Sequence, residues 1–389
     1  MDSPRKAEEV TNEEENQVTQ QLPQEIISQI LVKIPADILY RLRQVCHPWS
    51  DLILSKHFVN THLLQSEPGI LILERDNERD KFEAHFMDIE TGQVIKRDLS
   101  FTCSQLVLGI CNGLLFLGSL DVFLGFHDMR ILNLATKKSL TLPAHPYPTS
   151  STPFVMYFAE SISCGLTYVP STNEYKASIS IFRMVESLGT GNVSKLCECR
   201  ILTLGTNTWR EIVFPLEGAT TNMHFGSSIS VGGVLHFRIA TLDSKRVCHL
   251  MSLDMESEKL VKTNLPDEMQ EPKFIVEIGG FLSLVDCDVT AGRWDIWGLK
   301  DYYRNEWVKT YSFCVERDIR FYGYGYQIKP TVSLKNGKVI VFVHSYMQSP
   351  ICLYAYDVEK EEMKRLGNVE TKRLNQYSPH VNSLASWEG

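Results

Sequence analysis

The chain has 389 residues, of which 43% are hydrophobic and 22% charged; that is enough apolar material for a sizeable core and excludes a wholly disordered polymer. The net charge is −8, and the first twenty residues hold Asp2, Glu8, Glu9, Glu13, Glu14 and Glu15 against Arg5 and Lys6, so half of the excess sits in one tail. The remainder lacks the basic bias of a nucleic-acid binder, and no stretch reaches the ~18 apolar residues of a membrane span.

Residues 1–19 carry almost no aromatic or branched apolar residues and are expected to be a disordered acidic tail. This tail also lacks the basic and apolar segments of a signal peptide. An intracellular protein of the cytoplasm or nucleus is therefore expected, with no nucleic-acid or membrane partner. The ten cysteines agree with a reducing compartment: they are scattered and form no CxxC pair, so reduced thiols are expected. Cys197 and Cys199 make a lone CxC with no second ligand pair, which predicts no zinc site.

Between 20 and 58 the spacing becomes helical. Leu22, Ile26, Ile27, Ile30, Leu31 and Ile34 mark a first helix. Pro23 suits its first turn and Pro35 stops it. Ile38, Leu39, Leu42, Val45 and Cys46 mark a second helix, which Pro48 interrupts. Trp49, Leu52 and Ile53 carry the apolar face onto a short third one.

After residue 68 the pattern turns to short branched and aromatic runs such as Ile70–Leu73, Leu114–Leu117 and Val339–Val343, which read as strands. No long amphipathic helix separates them, so an α/β fold is excluded. A unit recurs: strand, tight turn, strand, loop, strand, polar turn, strand. Polar turns begin at Asp88, Asn133, Pro170, Leu204, Asp254 and Asp357. Asn112-Gly113, Gly232-Gly233, Gly279-Gly280 and Asn336-Gly337 supply the positive φ of tight hairpins. The unit length of roughly 45–60 residues is that of a kelch-like blade. The fold class is therefore mainly β: three N-terminal helices, then a propeller of about six blades, with seven left open. The run from His380 to Trp387 is expected to pair back into the first blade and close the ring.

The residues now resemble a known family. Leu22-Pro23 through Ile34-Pro35, then Leu39, Leu42, Val45-Cys46-His-Pro-Trp49, Leu52-Ile53 and Phe58, resemble an F-box. Cys111-Asn-Gly-Leu-Leu, Tyr168 to Lys176, Leu204 to Arg210 and Trp294 to Lys300 resemble the plant F-box-associated, kelch-like interaction domain. The resemblance covers roughly residues 20–384 and implies an F-box over 20–66 and an F-box-associated propeller over 67–389. His47 and Pro48 depart from the usual pattern after Val-Cys, and Ala36-Asp37-Ile38 replaces the more usual Val-Lys-Ser type.

The resemblance further implies a substrate-recruiting subunit of an SCF-type cullin–RING ubiquitin ligase with no chemistry of its own. Its partners would be a Skp-type linker, through it a cullin and a RING subunit, and a protein substrate that the sequence does not name. The linker-binding residues would be Leu22, Pro23, Ile26, Ile30, Leu31, Ile34, Pro35, Leu39, Leu42, Val45, Cys46 and Trp49, with Trp49 as the chief anchor. Target binding is expected on the varied loops 119–128, 143–153, 186–195, 241–247, 286–293, 315–327 and 344–350. The residues there suited to an interface are Phe126, His127, Arg246, Arg293, Tyr322, Tyr324, Tyr346 and Met347. The rivals are a propeller enzyme and a propeller that senses a carbohydrate or small molecule. Asp286 and Asp288 read as a turn, and Gly323-Tyr-Gly325 lacks the rest of a nucleotide loop. No GxSxG, HExxH or P-loop occurs, so no catalytic residue, metal or cofactor is expected.

Overall fold

The structure is a computed structural model. It describes residues 22–388 except 77–80, 90, 93, 103–104, 122–124, 145–160, 187–192, 217–222, 226–227, 242–247, 270–271, 289–290, 315–325, 347–350 and 370–373, and leaves aside some side chains next to these gaps. The expected acidic tail lies outside the described residues.

Among the described residues four helices come first: α1 (Gln24–Leu31), α2 (Ala36–Leu42), α3 (His47–Leu54) and α4 (Lys56–Gln65). The fourth corrects the three expected. Ser55 separates it from α3 and caps it, its Oγ accepting from Phe58 N at 3.3 Å. Pro48 does not break a helix but sits in the first turn of α3, where a missing N–H is harmless. Leu31, Leu39, Ile53 and Phe58 are fully buried together and form the core of the helical unit, each contributing ~1.5–3 kcal/mol. His62 ties α4 to the α1–α2 turn, its Nε2 lying 2.9 Å from Ile34 O, and burial holds its imidazole below the ordinary value.

Among the described residues twenty-five strands follow, in six antiparallel sheets. Blade one holds β1 (Gly69–Asp76), β2 (Lys81–Met87) and β3 (Val94–Thr102). Blade two is β4 (Gln105–Cys111), β5 (Leu114–Asp121), β6 (Gly125–Asn133) and β7 (Ser139–Thr141). Blade three is β8 (Ser161–Val169), β9 (Glu174–Glu186), β10 (Val193–Thr203) and β11 (Arg210–Pro215). Blade four splits its inner strand into β12 (Met223–Phe225) and β13 (Ile229–Val231), followed by β14 (Val234–Thr241), β15 (Cys248–Asp254) and β16 (Lys259–Thr263). Blade five is β17 (Phe274–Ile278), β18 (Phe281–Asp288), β19 (Arg293–Asp301) and β20 (Glu306–Cys314). Blade six is β21 (Tyr326–Leu334), β22 (Val339–Tyr346), β23 (Ile351–Asp357) and β24 (Glu362–Val369). The last strand, β25 (Leu374–His380), pairs with β1 as the inner strand of blade one and closes the ring.

The closing strand thus lies six residues before the run expected for it. Residues 381–386 instead run without regular secondary structure into the seam between the helices and blade two. There Asn133 Nδ2 donates to Ser383 O at 3.1 Å and to Ala385 O at 2.8 Å. A distinct apolar cluster fills each interface between neighbouring blades. Each sheet therefore buries both faces, and the six interfaces fix six blades.

The polar turns share one device. Asp88, Asn133, Asp254, Asp301 and Asp357 each end the third strand of a blade, and each accepts through Oδ1 from one or two backbone N–H groups two or three residues on, at 2.8–3.1 Å. Four residues after each, the chain takes a left-handed φ, at Gly92, Lys137, Glu258, Asn305 and Glu361. The turn at Pro170 departs from expectation: it joins β8 to β9, the first two strands of blade three. It still lies on the same side of the ring.

Candidate functional site

Strands alternate in direction, so the turns after the first and third strands of every blade emerge on one face, and the loops after the second and fourth on the other. The helical unit sits on the turn face. Ala135, from the β6–β7 turn, and Leu384 complete its core. Asn382 Nδ2 donates to Asp37 Oδ1 at 3.5 Å, and Lys335 N, in the β21–β22 turn, donates to Glu67 at 3.2 Å. A crevice of about 600 Å³ separates α2 and α4 from blades two and three.

The outer side of the unit is apolar and open. Leu22, Ile26 and Ile30 repeat every four residues along α1 and its lead-in, 57%, 41% and 52% exposed, and Val45 is 62% exposed. Pro23, Pro35 and Cys46 are also exposed, Pro35 in a crevice that faces blade one. Ile34, Leu42 and Trp49 are half-buried against the core, so each keeps part of its surface outside. Leu31 and Leu39, in contrast, are buried at 1% and 0%. Both are assigned to linker contact from the sequence, and in the folded unit their side chains pack among the helices.

Of the residues expected to bind a target, Arg246, Tyr322, Tyr324 and Met347 lie outside the described residues. Phe126 and Tyr346 lie on β6 and β22, but their side chains are outside the description. His127 is exposed on the loop face, 3.7 Å from Asp128. Arg293 is exposed but engaged, its Nη2 donating to Asp295 at 2.5 Å. Burial pushes the Asp295 carboxyl up, but hydrogen bonds from Arg293, Ser312 and Lys309 outweigh it and hold the group down to about 2. Asp288, read as part of a turn, does cap the β18–β19 turn, accepting from Ala291 N at 3.0 Å. Gly323-Tyr-Gly325 falls outside the described residues.

Sequence reasoning missed two constellations. Glu74, Glu83 and His85 bring donor atoms within 4.8 Å of one another in blade one. His85 Nε2 lies 3.4 Å from Glu74 Oε2, an ion-pair geometry. The cross-strand pairing of Glu74 with Glu83 creates the group, and strand register is not readable from the sequence. In blade four, His236 Nδ1 meets Ser252 Oγ at 2.8 Å, and Ser252 meets Thr263 Oγ1 at 2.9 Å. All three are buried, so this Ser–His pair has no access to a substrate. Burial holds His236 down to about 4. The nine described cysteines are free thiols, and the Cys197 and Cys199 sulfurs lie 3.5 Å apart in the core. No helix among the described residues is long and apolar enough to cross a membrane.

Fold and site together define a class: a six-bladed β-propeller that carries a small helical unit with an open apolar ridge. Comparison with known proteins gives the family. Residues 71–384 match the F-box associated beta propeller domain, and residues 19–64 match an F-box-like domain. The chain belongs to the F-box-associated β-propeller family. Similar proteins from Arabidopsis thaliana include F-box protein At5g49610, 25% identical over 75% of this chain and 79% of that protein. F-box protein CPR1 is 21% identical over 89% and 84% of the two chains. These likenesses support a substrate-adaptor role, and the F-box-like unit supports binding of Skp-type proteins in general.

Proposed function

We propose that this chain is the substrate-recruiting subunit of an SCF-type cullin–RING ubiquitin ligase. An F-box over 20–66 docks the Skp-type linker, which carries the cullin and RING subunits, and the propeller over 67–389 presents a protein target on its loop face. The observation that carries this reading is the ridge of Leu22, Ile26 and Ile30, with Val45 also exposed, left open on a unit whose core is completed by its own residues together with Ala135 and Leu384. An apolar ridge of this kind is stabilised when a partner covers it. Pro23, Pro35, Cys46 and the accessible parts of Ile34, Leu42 and Trp49 are assigned to the same contact.

The geometry suits recruitment. The helices occupy the turn face, opposite the loops to which target binding is assigned. The chain contributes binding and orientation, and the bond to ubiquitin is made by its partners. The free thiols fit a reducing compartment, the cytoplasm or nucleus. The test is co-purification. Replacing Leu22 and Pro23 by alanine is expected to abolish capture of the linker and cullin while the propeller keeps its melting temperature. Undiminished capture by this folded variant refutes the proposal.

A further inference from the structure

The inner strands of all six blades enclose a cavity of about 260 Å³ on the propeller axis. Part of its wall is apolar, with Leu108, Leu166, Ile229, Leu235 and Ile275 among its residues. The strands approach so closely at Gly109 that a Cβ there would stand 2.7 Å from Leu166 N, so glycine keeps the wall thin.

Most polar groups of the wall are satisfied within the ring. Gln376 bridges blades one and two, its Nε2 donating to Val107 O at 3.0 Å and its Oε1 accepting from Val107 N at 3.3 Å. Ser228 donates to Cys164 O, and Ser230 pairs with Thr167. Thr331 donates to Lys329 O at 3.0 Å. Two charged residues complete the lining, Glu277 and Lys329. Glu277 accepts from Gly280 N at the turn-face end. Among the described residues the Lys329 amine has no hydrogen-bond or ion-pair partner. A half-buried ammonium without a counter-ion destabilises the fold that holds it, and burial accordingly lowers Lys329 from its ordinary value. A charge that the chain itself leaves unanswered is suited to an anion from outside.

The rest of the wall narrows the chemistry. The apolar residues suit a hydrocarbon or aromatic body. Glu277, in the same cavity, disfavours a dianion such as phosphate. The volume admits a small molecule but no folded element. We propose that the axial cavity is a binding site for a small organic monocarboxylate, held by Lys329 with its apolar body against Ile229, Leu235 and Ile275. The site is separate from the helical ridge and does not depend on the ligase reading.

The test uses the full-length chain and acetate, hexanoate and benzoate as probes. Limited acetylation followed by peptide mass spectrometry reads Lys329 directly, with the exposed Lys300 and Lys364 as internal controls. At ten times its Kd, a bound carboxylate is expected to slow labelling of Lys329 about tenfold and leave the controls unchanged. Lys329→Met is expected to remain folded, to melt no lower than the parent, and to lose the probe-dependent rise in melting temperature. Glu277→Gln removes a like charge and is expected to tighten binding, an outcome that loss of fold does not mimic. Linker capture should be unaffected in both variants, so failure here is distinguishable from failure of the ridge. The proposal is overturned if none of the three acids protects Lys329, if a glutamate-rich peptide alone protects it, or if Lys329→Met still responds.

Discussion

Ile30 and Leu39 belong to one small helical unit and test what each of its two apolar surfaces does. Leu39 is 0% exposed and Ile30 is 52% exposed. Leu39→Ala removes a packed side chain and leaves a cavity, so the chain should lose ~2–5 kcal/mol of stability in the helical unit. Ile30→Ala forfeits only the buried half of its side chain, about 1 kcal/mol. The exposed surface is lost only when a partner would have covered it. For Leu22, Ile26 and Ile30 together the exposed fractions amount to about one and a half side chains, worth about 2–4 kcal/mol of binding. That corresponds to a roughly 30- to 1000-fold weaker Kd, since 1.4 kcal/mol is tenfold. The assay is calorimetric titration of the full chain with a purified Skp-type linker, alongside thermal melts of each variant. The reasoning fails if the triple alanine variant binds as tightly as the parent, or if Ile30→Ala melts as early as Leu39→Ala.

Asn133→Ala is expected to destabilise the protein by about 3 kcal/mol in urea titrations, because it leaves buried groups unpaired at four hydrogen bonds. His236 makes stability depend on pH. Its imidazole is held down to about 4 in the folded state against an ordinary 6.5, so the unfolded chain binds the proton first. Stability should therefore be full above pH 6.5, fall as pH drops toward 4, and level off below, where both states are protonated. A His236→Gln variant should lack this component when denaturation midpoints are followed across that range. Truncation after Val369 removes β25 and exposes the inner edge of β1; loss of a cooperative melt is the expected result, and an unchanged melt would refute the closure role.

The sequence determined whatever depends on neighbours along the chain. Prolines set off the first three helices, apolar runs marked the strands, Asn-Gly and Gly-Gly pairs marked the hairpins, and Asp or Asn opened most of the polar turns. It misplaced elements whose pattern answers to distant surroundings. The closing strand Leu374–His380 reads as polar because it faces the axial cavity, and Gln376, Tyr377, Ser378 and Pro379 line that cavity. The run after it looked more strand-like because Leu384 and Ala385 fill the seam with the helices and blade two. The fourth helix was hidden by its weak apolar pattern and revealed by its cap at Ser55. Periodicity marked Ile30 and Leu31 as equally apolar, and only packing decided that one is covered and the other open. Lys329 and Glu277 stand in neighbouring blades, and only the packing of blade five against blade six brings them to one cavity, because that packing joins residues far apart in the sequence.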